Sequence, residues 1–302
     1  MVALQSPPSA APRKRPTNVE EFRELSAQTK PFVVPTFQPR STDILIATFP
    51  KCGTTWTQQI VHGLRTRGSM DFEEISLVIP FLEVSPLLGI DLDAAQAAEP
   101  RAFKTHLPWT HVPKGGRYIY VMRDPADTLV SFYHFMSGVL FEPGTVDIES
   151  FSVETFFKDS PFGRYWDHLR SWWEQRRRED VLFLCFEDMK RDHEAAVRRI
   201  AAFMGVSGDE ELIALATRQS TFEFMRARDS QFDDHPTTAA ISRVMGMPPA
   251  RTTKVRAGRV GDGAGLPASV RAALDDAWRS CIEAPLGIRS YEELRARLAS
   301  EV

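Results

Sequence analysis

Apolar positions along the chain fall into two patterns: short unbroken runs and longer stretches at helical spacing. Ile44, Leu45, Ile46 and Ala47 form a run without a polar face, the pattern of a strand covered on both sides in a parallel sheet. Runs over 117–122 and 181–186 predict two more strands, and the short stretch 101–105 is a further strand candidate. After the first run, Trp56, Ile60, Val61 and Leu64 recur at helical spacing, and Trp166, Leu169, Trp172 and Trp173 do so within 165–177. A helix from residue 124 through 136 is announced by Asp124 as N-cap, Pro125 at the first helical position and Asp127 in the first turn. Residues 193–204 form an amphipathic helix stopped by Gly205, 18–26 a short helix, and 290–298 a last one with Ser290 as cap and Glu293 three residues on. Strands alternating with helices predict an α/β fold, a parallel sheet flanked by helices.

The connections are less regular. Residues 32–37 are an extended lead into the first strand, and 71–98, with Pro80, Pro86 and Gly89, predict short helical pieces lying over a site. Residues 138–162 and 229–249 read as loops that shape a pocket; Phe151, Phe156, Phe157 and Phe162 are taken first as core.

Length allows one large domain or two smaller ones, and no internal repeat is detectable, so a single domain over 19–302 is expected. Residues 1–18, rich in Pro, Ala and Ser around Arg13, Lys14 and Arg15, are expected to form a flexible tail. A formal net charge of -3 gives no global reason to expect nucleic acid or an anionic membrane as partner, so any anion site must be local. The three cysteines, Cys52, Cys185 and Cys281, lack metal-ligand spacing, which argues against zinc and a disulfide framework and fits a reducing compartment. There is neither a run of about eighteen apolar residues nor the apolar core of a secretory signal; a cytoplasmic protein with no membrane span is expected.

Candidate chemistry gathers where the predicted strands end. Pro50, Lys51, Cys52, Gly53, Thr54 and Thr55 join the first strand to its helix, a P-loop-like arrangement in which unpaired helix N–H groups, a lysine and hydroxyls surround an anion, and Gly53 keeps a Cβ out of the way. The lysine precedes the glycine, unlike the usual nucleotide triphosphate loop. Beyond the second strand come Lys104 and His106, on the edge of an open α/β sheet where ligands bind. Seven residues separate Arg123 from Ser131, about two helical turns, so both can reach one phosphate. Gly258 and Gly261, with Arg256 and Arg259, make a plausible anion nest.

The stretch Pro50 to Trp56 resembles the 5′-phosphosulfate loop of the cytosolic sulfotransferases, which use 3′-phosphoadenosine 5′-phosphosulfate (PAPS). The resemblance covers roughly residues 40–298 with motifs in the family's order. It implies a general base at His106, an active-site lysine at Lys104, and 3′-phosphate binding by Arg123 and Ser131 and by Arg256, Ala257 and Gly258. It also implies a hydroxyl contact from the segment Ser220, Thr221, with Phe222 and Trp56 walling an adenine slot. Ser131 is further implied to restrain Lys51 until acceptor arrives.

Three departures stand out: Cys52 where the family usually has serine, Phe186 where it often has a cofactor- or acceptor-facing tyrosine, and Gly263 where tryptophan commonly stands. The family's usual dimerisation segment is missing, which leaves the oligomeric state open. Beside a helix N-terminus and Lys51, Cys52 is expected to be a reactive thiolate.

The expected function is transfer of the sulfuryl group of PAPS to the hydroxyl, secondarily the amine, of a small molecule, without a metal. His106 takes the acceptor proton, while charged Lys51 and Lys104 stabilise the leaving phosphate oxygen and the sulfuryl oxygens. Alternatives are a P-loop kinase or nucleotide triphosphatase, against which the absent Gly-Lys-Ser/Thr order counts, and a silent nucleotide-binding protein, for which a base has no use.

Overall fold

The three apolar runs and the short stretch 101–105 form one sheet: β1 (Ile44–Thr48), β2 (Ala102–Thr105), β3 (Arg117–Met122) and β4 (Val181–Cys185). Their order is β2-β1-β3-β4 and every pairing is parallel. The computed structural model describes residues 13–33, 36–158, 162–250, 253–255 and 258–301.

Strand side chains alternate, so each strand feeds two cores. Ile44, Ile46, Ile119 and Val121 pack with Ile60, Val61 and Leu64 of the helix Thr54–Thr66 and with the helices His193–Met204 and Glu210–Gln219. Leu45, Ala47, Tyr118 and Tyr120 pack with the helices Pro125–Val139, Tyr165–Trp173 and Tyr291–Ser300. At the amino ends of β1 and β2, Arg101 grips Asp43 through two hydrogen bonds of 3.0 and 2.6 Å with both side chains wholly buried. Removing either partner would strand a buried charge at a cost of about 3–5 kcal/mol.

The chain runs from β1 outward to β2 and then crosses back to β3 on the other side. That reversal opens a crevice at the carboxyl ends of β1 and β3, where the loops carrying Lys51 and Arg123 emerge.

The predicted caps form. Asn18 accepts from the Glu21 N–H at 2.9 Å, Asp124 from that of Asp127 at 2.9 Å, and Ser290 from that of Glu293 at 3.1 Å. Boundaries move elsewhere. The run over 181–186 ends at Cys185, and Phe186 opens a short helix, Phe186–Arg191. The helix expected over 165–177 ends at Trp173. The stretch 138–162 contains the helix Ile148–Phe151 and a π-turn, Ser152–Phe156, while 229–249 contains the helix His235–Met245. Of the expected tail, residues 1–12 lie outside the described residues; Arg13 donates its N–H to the Gly246 carbonyl at 2.9 Å and Arg15 its guanidinium to that of Pro249 at 3.0 Å. Among the described residues no helix is long and apolar enough to cross a membrane.

Candidate active site

Two left-handed residues, Lys51 at φ 73° and Gly53 at φ 96°, turn the chain from β1 into the helix Thr54–Thr66. Gly53 is required twice, by its dihedral and because a Cβ there would lie 2.9 Å from the Phe186 ring. The turn sends Lys51 into a cavity of about 250 Å³ and Cys52 into the core. Thr54 and Thr55 line the same cavity, with the Thr54 hydroxyl 2.6 Å from that of Thr48.

Cys52 corrects the sequence expectation of a reactive thiolate. Its side chain is buried at 1% exposure, 3.5 Å from the Thr128 hydroxyl, and burial, only partly offset by Thr128, pushes the thiol up to about 12. The backbone turn points it away from the helix N-terminus that would have favoured the anion. Its N–H is 3.3 Å from the Phe49 carbonyl.

His106 follows β2 and lines the cavity, edge-on to Phe81 and Phe162 with ring centroids 5.1 and 5.4 Å away. Its Nδ1 is 2.9 Å from the Thr48 carbonyl oxygen. A carbonyl only accepts, so Nδ1 carries the proton and Nε2 the lone pair. Burial and then the neighbouring Lys104 hold the ring well below the usual histidine range, so it is neutral. Glu83 fixes the backbone here: its Oε1 accepts the His106 N–H at 2.6 Å, and burial pushes its carboxyl up to about 7.

Lys104 sits 3.3 Å from Asp234 Oδ2, which also receives the ammonium of Lys254. Burial lowers Lys104 to about 8 although Asp234 opposes the shift. Burial also favours a neutral Asp234, but the two ammoniums outweigh it and hold the carboxyl below the usual range. Lys51 Nζ lies 4.2 Å over the Phe135 ring, and burial followed by Lys254, Lys104 and Arg123 holds it well below the usual lysine range. The surrounding cations and burial thus weaken the ammonium form of Lys51 relative to a free lysine, and an entering anion would strengthen it. Ser131 lines the cavity one helical turn before Phe135, and that ring is what the Lys51 ammonium covers.

At the other end, Arg123 crosses the strand crevice, donating to the Lys51 carbonyl at 3.1 Å and the Arg259 carbonyl at 3.2 Å. Its guanidinium lies 4.5 Å from the centroid of the Phe186 ring. Trp56, Phe222, Gly258 and Arg259 line this end. Ser220 and Thr221 do not reach the cavity wall: the Ser220 hydroxyl is buried against the Ala216 carbonyl at 2.6 Å and His193 at 2.9 Å, and that of Thr221 caps the helix Phe222–Arg226. Arg256 and Ala257 lie outside the described residues. Sequence reasoning missed Glu83, Asp234 and Lys254. Only Lys254, two residues before Arg256, carried a local signal as a further cation beside the expected nest.

The family model for the sulfotransferase domain matches residues 41–262. Sulfotransferase 1C2 of Rattus norvegicus is 37% identical over 206 residues, 64% of this chain and 69% of that protein. Amine sulfotransferase of Oryctolagus cuniculus is 34% identical over 199 residues, 63% of this chain and 65% of that protein. Mouse sulfotransferase SULT7A1, solved in complex with PAP, shares the fold with a TM-score of 0.65 at 23% identity, covering 92% of this chain and 94% of that one. A retinol dehydratase solved with retinol and PAP superposes with a TM-score of 0.63 at 22% identity over 85% of each chain. With its domain model spanning most of the chain and the loop, the histidine and the lysines converging on one cavity, this protein belongs to the sulfotransferase family.

Proposed function

We propose that residues 19–302 form one catalytic domain that moves the sulfuryl group of PAPS to the hydroxyl of a small, largely apolar acceptor. The carrying observation is His106, its proton fixed on Nδ1 by the Thr48 carbonyl, lining the same cavity as Lys51 and Lys104. The residues present suit the donor. Gly53 leaves room at the head of the helix, and Arg123 Nε is a buried donor with no hydrogen-bond partner among the described residues. The aromatic pair Trp56 and Phe222 suits an adenine, for which stacking is worth about 1–3 kcal/mol.

The bound donor supplies an activated sulfuryl group. His106 Nε2 receives the acceptor proton as the acceptor oxygen bonds to sulfur. Lys51 offsets the charge left on the phosphate oxygen as the S–O bond breaks, and Lys104 faces the sulfuryl oxygens. Phe22, Phe32, Phe81, Phe162 and Ile241 line the part of the cavity suited to an apolar acceptor body. No metal is assigned a step, since lysine and arginine already face the anionic groups.

Turnover of PAPS with a panel of phenols, alcohols and amines in EDTA tests this reading. Sulfated product and PAP are expected from a phenol or alcohol. Product from amines only would overturn the acceptor assignment, and tight PAP binding without product from any acceptor would favour a silent nucleotide-binding role.

A further inference from the structure

Lys254 has no role in the mechanism above, yet it lies between two lysines that do. Its ammonium donates to Asp234 Oδ2, the oxygen paired with Lys104 at 3.3 Å. Its Nζ is 5.7 Å from the centroid of the Phe135 ring, which Lys51 Nζ covers at 4.2 Å. One carboxylate and one aromatic ring thus gather three lysines that line one cavity.

The arrangement is built in. Asp234 adopts φ 63°, its Oδ1 accepts the Ser76 hydroxyl at 2.8 Å, and its N–H donates to Glu74 Oε1 at 3.1 Å. The side chains of Asp234 and Lys254 are 5% and 11% exposed, so solvent relieves little of the repulsion among the cations. Glu74, the other carboxyl in this cluster, is pushed up to about 7 by burial and by Asp234, which weakens it as a counter-charge. Such a cluster is balanced when an anion arrives, and in the transfer reading above the anionic group that reaches Lys51 and Lys104 is the one in transfer.

We propose that Lys254 is a further cationic contact of the sulfuryl group in transfer, beside Lys104, with Asp234 as the positioning residue that aims both at it. This rests on the transfer reading above. Cations fixed beforehand stabilise the charge that builds on the sulfuryl oxygens without reorganisation during the step. Asp234 keeps the pair from springing apart. Arg123, tied to the Lys51 and Arg259 carbonyls, remains the cation of the nucleotide end.

Lys254→Met and Lys254→Gln, compared side by side so that a folding defect in one does not decide the result, test the proposal by direct binding as well as turnover. The dissociation constant for PAP, which lacks the sulfuryl group, is expected within about twofold of wild type. That for PAPS, measured without acceptor, should weaken about tenfold and kcat should fall at least about tenfold, with Lys254→Arg recovering most of both. Constants for PAP and PAPS that stay equal to wild type, or weaken alike, would overturn the assignment. Recovery of wild-type kcat in the double variant Lys254→Met with Asp234→Asn would reduce Lys254 to a counter-ion and also overturn it. A wild-type enzyme that binds PAP and PAPS but never turns over would instead sink the transfer reading, while the PAP-to-PAPS comparison would still decide the role of Lys254.

Discussion

The Nδ1 of His106 lies 2.9 Å from the carbonyl oxygen of Thr48, the last residue of the strand that runs into the Lys51 loop. The end of β1 thus sets the tautomer of a histidine delivered by its neighbour β2, while its loop delivers Lys51 to the same cavity. A positioned base of this kind contributes about 10²–10⁴-fold to proton removal.

His106→Ala is expected to lower kcat by at least about a hundredfold while PAP affinity stays near wild type, because in the proposed mechanism the ring serves the acceptor and not the nucleotide. The loss should shrink for acidic phenols, which shed a proton with less help. Wild-type turnover of an alcohol by the variant would return His106 to a packing role.

Lys104 supplies a pH limb. Burial brings it down to about 8 and only its ammonium form stabilises negative charge, so kcat/KM for the donor should fall as pH rises through about 8. In kcat the limb should move to higher pH, since bound donor favours the ammonium. Asp234→Asn removes the opposing carboxylate and should shift the kcat/KM limb to lower pH. A profile flat from about pH 7 to 10 would exclude Lys104 from the step.

Arg123→Ala should weaken PAP binding at least about tenfold, through a lost charge-assisted phosphate contact and a loosened Lys51 loop, with little change in acceptor KM. Arg123→Lys should not restore binding, because an ammonium cannot span the Lys51 and Arg259 carbonyls while lying flat against Phe186. Titration calorimetry with PAP reads both variants, and unchanged affinity in Arg123→Ala would remove the residue from the nucleotide site.

Alkylation should follow burial. Cys281, half-buried, is expected to label first, and Cys52 and Cys185, both buried with raised thiol pKa, only as the protein unfolds. Bound PAP should leave the order unchanged. Early labelling of Cys52, blocked by PAP, would place its sulfur in the cavity after all.

Local signals in the sequence determined the strands, the capped or strongly periodic helices and part of the site, while the helices Glu210–Gln219, His235–Met245 and Ala268–Trp278 were not read from it. Three apolar runs and the short stretch 101–105 read as strands of a covered sheet, and Asn18, Asp124 and Ser290 announced helix starts because capping is settled within a few residues of chain. Lys51, Gly53, Lys104, His106 and Arg123 were legible for the same reason: each sits where a predicted strand ends, and strand ends in a parallel sheet share one edge. Only the tertiary structure decided which side chains face that edge. A left-handed turn at Lys51 put the Cys52 sulfur in the core, and the Ser220 hydroxyl met a carbonyl and His193 before it could reach the cavity. The Lys104, Asp234 and Lys254 cluster joins positions 130 and 20 residues apart. No periodicity or cap encodes such a pairing, because its energy comes from burial, and burial exists only once the chain has closed around it.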